Sequence, residues 1–108
     1  MTLERGDVVA VSDPFDDNEA RPFVVVNTDD HPFHGEQYVA LTLTTRTWFD
    51  GTIPLSDGDF VEGGVPDDSF VVPWGVASPG ESDIGERFGR LRSSTVDDAV
   101  EALTTYLR

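Results

Sequence analysis

Residues 21–27 read Arg-Pro-Phe-Val-Val-Val-Asn, and the unbroken Val24-Val25-Val26 at their centre decides the fold class. A continuous apolar run of this length, bounded by turn-forming residues, is what a strand covered on both faces requires. Working outward, the same pattern recurs. Val8 to Val11 forms a run stopped by Ser12-Asp13-Pro14, and Tyr38 to Thr44 forms another, rich in β-branched and aromatic residues. Thr52 to Leu55, Ser69 to Val72 and Arg87 to Leu91 bring the number to about six strands, all separated by Asp, Gly and Pro. Asp57-Gly58 predicts a turn with the positive φ that a tight hairpin needs. Strands this short close most economically into a small, strongly bent barrel, spanning about residues 5–92, because closure removes exposed edges.

The final segment has a different period. Val96, Ala99, Val100, Leu103, Tyr106 and Leu107 recur at steps of three and four, which predicts a one-sided helix over about 95–107. Thr95 is placed to cap it, with Asp98 in the capping-box position and Asp97 beside it at the positive end of the dipole. The expected fold is therefore mainly β with a C-terminal α-helix laid across the barrel. A length of 108 residues predicts a single domain over 1–108.

Charge is the outlier in the composition. The chain carries 21 acids against 7 bases, for a net charge of −14. All seven bases are Arg, none is Lys, and two thirds of the acids are the shorter Asp. Such a surface suits molar salt, where the Debye length falls to about 3 Å and repulsion among carboxylates is screened. The absence of Cys excludes disulfides, thiolate metal sites and a Cys nucleophile. Met1 to Gly6 shows no signal-peptide pattern, and no stretch nears the roughly 20 apolar residues of a membrane span, so a cytoplasmic location is expected. His31 and His34 bracket Pro32, which argues against a helical two-His metal site. The acidic clusters Asp13 to Glu19 and Ser56 to Asp68 lack the ligand order of a calcium loop, and Gly63-Gly64 reads as a turn.

Several of these segments, in this order, resemble the PemK/MazF toxin family. The residues that carry the likeness are Arg5-Gly6-Asp7-Val8-Val9, Arg21-Pro22, Leu41-Thr42-Leu43-Thr44, Ile53-Pro54-Leu55 and Gly89-Arg90-Leu91 before the helix. The resemblance spans essentially the whole chain. It implies an SH3-like barrel, usually a homodimer, that cuts single-stranded RNA without a metal or other cofactor and leaves a cyclic phosphate. It also implies a cognate antitoxin whose disordered segment covers the RNA groove.

Cleaving RNA through its own 2′-hydroxyl requires a base, stabilisation of charge on the phosphorane oxygens, and protonation of the departing 5′-oxygen. Arg21 matches the catalytic Arg of the family's Arg-Pro pair, and a guanidinium fork suits phosphate oxygens. Read without the family, the same Arg is more commonly a partner for one of the many carboxylates. Thr44, the second catalytic match, ends its strand with a hydroxyl able to donate to a phosphate oxygen or orient the 2′-hydroxyl. Thr45 and Arg46 follow as further substrate contacts, Arg46 for a phosphate. Relatives often carry a longer loop with Glu and Gln upstream of the Arg; here Asp16-Asp17-Asn18-Glu19-Ala20 leaves Glu19 as the substrate contact and candidate base. Many relatives also carry Asp-Gln and Arg-Thr where this chain reads Pro73-Trp74-Gly75-Val76-Ala77-Ser78. Trp74 there is either a base-stacking platform or a core residue.

A net charge of −14 opposes the binding of a polyanion, and only seven cations are available to release counterions. Local convergence of Arg21 and Arg46 from two subunits, with Arg5 as a third contributor, would answer this. The acidic composition itself predicts that the melting temperature rises as KCl is increased toward molar concentration. A thermal melt series in KCl checks this, and an unchanged midpoint refutes salt adaptation.

Overall fold

The computed structural model describes residues 2–12, 20–46, 50–65 and 67–108. In chain order the elements are β1 (Asp7–Ser12), β2 (Ala20–Val25), β3 (Ala40–Thr44), β4 (Ile53–Pro54), β5 (Phe60–Gly63), β6 (Phe70–Ala77), β7 (Ile84–Leu91) and α1 (Ser93–Leu107). Short 3-10 turns at Asp57–Asp59 and Glu81–Asp83 precede β5 and β7. The strands form one sheet in the order β4-β6-β3-β2-β1-β7-β5, with every pairing antiparallel.

Side-chain alternation splits the sheet into two faces. The inner face gathers Val8, Val24, Leu41, Leu43, Val71 and Leu91, with Ile53 and Phe60 packed from the two edge strands. Residues from all seven strands meet there, so the sheet is curled into a half-barrel. Val96 and Ala99 of α1 join this cluster, with Val100 and Leu103 packed beside them, which is how the helix period serves the fold. The outer face carries a second cluster on β1 and β2, made of Val9, Val11 and Val25 with Leu3 and Tyr38. Tyr38 is fully buried and accepts a hydrogen bond on its hydroxyl from the Leu3 amide at 3.1 Å.

Two local expectations are corrected. Asp57-Gly58 does not make a hairpin, because β4 and β5 lie at opposite edges of the sheet and do not pair. Residues 57–59 instead form a 3-10 turn that carries the chain across the open seam of the half-barrel, and Gly58 is not among the positive-φ glycines of the described residues. Thr95 does not cap α1. Arg92, with extended backbone angles, takes the N-cap position without a side-chain bond, and the helix starts at Ser93. Thr95 is buried in the first turn and donates its hydroxyl to Asp59 Oδ1 at 2.8 Å. The other Asp59 oxygen accepts from the Ser56 amide at 2.8 Å, so one carboxylate ties the seam-crossing turn to the start of the helix. The Ser56 amide, outweighing partial burial and helped by Thr95, holds the Asp59 carboxyl below its ordinary value.

Before β1 the chain makes a turn whose centre is Gly6, with φ +97°. A Cβ there would lie 2.8 Å from the Leu91 carbonyl oxygen, so only glycine fits without displacement. Asp7, 2% exposed, follows at once. One of its oxygens accepts from the Glu4 amide at 2.7 Å. The other accepts from Arg87 Nε at 3.0 Å and Arg90 Nε at 2.9 Å, both on β7. Glu62 on β5 completes the group, 2.6 Å from Arg87 Nη2 and 3.7 Å from Arg90 Nη1. Burial pushes the Asp7 carboxyl upward, but the Glu4 amide and the two guanidiniums outweigh it and hold the carboxyl below its ordinary range.

The group predicts a specific defect. Asp7→Asn leaves two arginines facing a neutral acceptor and should cost on the order of 3 kcal/mol, as breaking a buried ion pair does. A folded value below the unfolded value of about 3.9 means the contribution is complete above that pH and lost as pH falls through the lower value. Denaturant unfolding should therefore show a gap between wild type and Asp7→Asn at pH 7 that closes in acid.

Candidate functional site

β2 and β3 pair as Phe23 with Thr42, Val24 with Leu41 and Val25 with Ala40. Carrying that register two residues further sets Arg21 directly opposite Thr44, on the outer face and at the same end of the sheet. Opposite residues in an antiparallel pair hold their Cβ atoms about 5 Å apart. The two positions singled out in the sequence, 23 residues apart, therefore lie at adjacent ends of paired strands. Val11 of β1 flanks Arg21 on its other side, and Phe70 of β6 flanks Thr44. Ile84 and Pro54 extend the row to β7 and β4, so Arg21 and Thr44 sit in the middle of a line of outer-face residues that crosses six strands.

Local chemistry explains why these side chains are presented. Pro22 follows Arg21 and keeps its backbone extended, and Arg21 is exposed while Thr44 is half-buried. The Thr44 hydroxyl accepts a hydrogen bond from the Arg46 amide at 3.1 Å. That bond is a side-chain turn that fixes the course of Thr45 and Arg46 as the chain leaves β3. Accepting it leaves the hydroxyl proton of Thr44 to donate. Thr45 and Arg46 are both exposed at this end. Glu19 lies outside the described residues.

Other candidates lie elsewhere. Arg5 does not belong to this row. Its Nε donates to the Val26 carbonyl at 3.1 Å and its Nη2 to Asp97 Oδ1 at 2.9 Å, which holds it at the far end of β2. Trp74 is neither a core residue nor part of the row. β6 carries four residues, 72–75, across from the single Thr42, whose hydroxyl donates to the Gly75 carbonyl at 2.9 Å. This bulge turns Trp74 toward the end of α1, where its ring meets Tyr106 edge-on at 5.7 Å and remains 42% exposed. His31 Nδ1 lies 3.0 Å from the Phe33 amide, and His34 Nδ1 lies 3.2 Å from Asn27 Nδ2. Among the described residues no group of three His, Asp or Glu is placed to hold a metal ion, and no helix is long and apolar enough to cross a membrane.

Sequence reasoning missed the neighbour of Thr44. Phe70 opens a run legible as a strand, but its position beside Thr44 depends on a pairing between segments 26 residues apart, to which no local pattern points.

No protein-family model matches the chain, and no curated protein matches it by sequence. Solved structures do resemble it. An endoribonuclease from a mycobacterial species, in complex with its cognate antitoxin, matches with a TM-score of 0.75 and 22% identity, over 98% of this chain and 93% of that one. MazF from Deinococcus radiodurans matches with a TM-score of 0.75 and 15% identity, over 99% and 97% of the two chains. The MazE–MazF complex from the same organism gives 0.74 and 14%, over 99% and 96%. These likenesses show the fold, a MazF-type curled sheet with a C-terminal helix.

Proposed function

We propose that this protein is a toxin-type endoribonuclease that cleaves single-stranded RNA through the 2′-hydroxyl without a metal. The observation that supports it most is the pairing of Phe23 with Thr42, whose continuation along both strands would bring Arg21 to Thr44 on the outer face of a MazF-type sheet. The 2′-oxygen attacks phosphorus, the bond from phosphorus to the 5′-oxygen breaks, and the products are a 2′,3′-cyclic phosphate and a 5′-hydroxyl. Arg21 offers its guanidinium to the phosphorane oxygens as negative charge builds on them, where a fixed donor is worth most. Thr44 donates its hydroxyl to the same phosphate or to the 2′-oxygen, and the Arg46 amide holds its oxygen in place. Thr45 and Arg46 take the neighbouring part of the strand, and Glu19 is the candidate base. The protein acts in the cytoplasm as a homodimer, restrained by a cognate antitoxin that covers this row.

A homodimer accords with the distribution of exposed apolar side chains. Trp74 and Val76 on β6 and Tyr106 and Leu107 at the end of α1 are all large and exposed. Trp74 and Tyr106 are in contact, and an apolar corner of this kind marks an association surface. A binding module that has kept the architecture without the chemistry is the alternative. It is favoured by the 73–78 stretch, which lacks the charged groups of the family.

A mixed-sequence single-stranded RNA in molar KCl with a chelator tests the enzyme. Wild type should cut it to cyclic-phosphate ends, and Arg21→Ala should lose about 10²-fold or more in rate, as removal of one oxyanion donor does. RNA left equally intact by both proteins refutes the enzyme, and binding without product selects the module. Light scattering tests the dimer: wild type should have twice the chain mass, and Leu107→Asp should shift it toward one.

A further inference from the structure

We propose that the groove beside Phe70 receives one nucleobase of the RNA and selects a base that carries an exocyclic amino group. This rests on the RNA-cleaving function proposed above and names a specificity subsite for it.

The groove lies where the half-barrel fails to close. It encloses about 590 Å³, within the range of small-ligand sites, and it opens to solvent along one side. Leu55, Phe60, Val65 and Phe70 give it an apolar side, and serines and aspartates line the rest. Phe70 belongs to both sites, since it is the cross-strand neighbour of Thr44 and a wall of the groove. Two strand spacings, on the order of 10 Å, separate Phe70 from Arg21, so a phosphate held at Arg21 and Thr44 places an adjoining base within reach. A half-buried phenyl ring offers that base a stacking surface.

Charge decides which part of the strand enters. Asp57, Asp67 and Asp68 stand on the rim. All three are exposed, and ionised carboxylates only accept hydrogen bonds. A phosphate is repelled there and stays with Arg21 and Arg46. The base is the neutral part of a nucleotide with N–H donors to offer. The amino groups of cytosine, guanine and adenine each offer two hydrogens to the carboxylates, whereas uracil offers a single N3–H hemmed between O2 and O4, which a carboxylate repels. The rim is also held in place. Ser69, buried at the foot of β6, donates its hydroxyl to the Asp67 carbonyl at 3.0 Å and secures the turn that carries Asp67 and Asp68.

The test measures kcat/KM in molar KCl on oligoribonucleotides with one cleavable bond. Each position flanking that bond is in turn A, C, G, U or abasic. Wild type should prefer an amino-bearing base over U by about tenfold at one flanking position, the discrimination of one good base contact. The Asp67→Asn, Asp68→Asn double variant should flatten that preference. Phe70→Ala should lose about tenfold on every base at that position, the worth of one stacking contact. Phe70→Leu keeps an apolar side chain and should lose the same if the ring itself stacks. On the abasic substrate all four proteins should be equal, which separates loss of the subsite from loss of the fold. An active wild type whose base profile the variants leave unchanged overturns the subsite alone. A wild type that cuts no substrate fails at the proposed function and takes the subsite with it. Inhibition of wild type by a basic oligopeptide, relieved in the Asp variant while the base profile stays unchanged, would assign the groove to a cationic protein segment and overturn the proposal.

Discussion

The geometry of the outer face traces back to one buried carboxylate. Asp7 sits at the first position of β1, after a glycine turn that no other residue fits, and it binds two arginines of β7 at once. β1 and β7 pair with two register shifts, so their ladder alone holds them less firmly than a regular one would. The carboxylate supplies a fixed point where the hydrogen-bond pattern is irregular. From there the register passes outward: Val11 faces Arg21, β2 sets β3, and Thr44 faces Phe70. Residues at strand ends far apart in the chain reach one line because each pairing inherits its phase from the last.

In a chain with a net charge of −14, four of the seven arginines serve the fold. Arg87 and Arg90 meet Asp7 and Glu62, Arg5 meets Asp97, and Arg92 lies on the Gly58 carbonyl. These four fasten β1, β5, β7 and α1 to one another. Arg21 and Arg46 are exposed at the loop end of β2 and β3, where the Arg46 amide donates to the Thr44 hydroxyl. The acidic surface supplies no long-range attraction for a polyanion, so the RNA binding we propose rests on short-range contacts. Such contacts survive in concentrated salt, whereas steering by net charge does not.

The inner strands were legible because burial on both faces forces an apolar run. Val24-Val25-Val26 needed no more than that, and Leu41-Thr42-Leu43 shows the alternation of a strand buried on its inner face. β5 was not legible. Its residues Phe60-Val61-Glu62-Gly63 form an edge with a single half-buried apolar side chain, and a one-sided edge strand leaves little pattern. Asp57-Gly58 has the composition of a hairpin turn, but Asp59 binds both Ser56 and Thr95 and makes that segment a brace for the helix. The helix likewise begins two residues before Thr95, which has the composition of a cap but donates inward to Asp59. Only the family resemblance, not any local pattern, links Arg21 to Thr44. Register is a property of pairs of segments, and one segment cannot display it.

Where β5 crosses β7, Gly63 and Gly89 stand opposite each other. A Cβ on Gly63 would drive into the Phe88 carbonyl, and one on Gly89 would lie 2.9 Å from the Gly64 nitrogen. The two backbones are thus nearer than a single methyl group permits. Any side chain at either place would act as a wedge and swing β5 away from the sheet. Phe60, which begins that strand, would swing with it and carry off one wall of the opening beside Phe70. Two residues without side chains thereby set the width of the groove beside Phe70 from the opposite edge of the sheet.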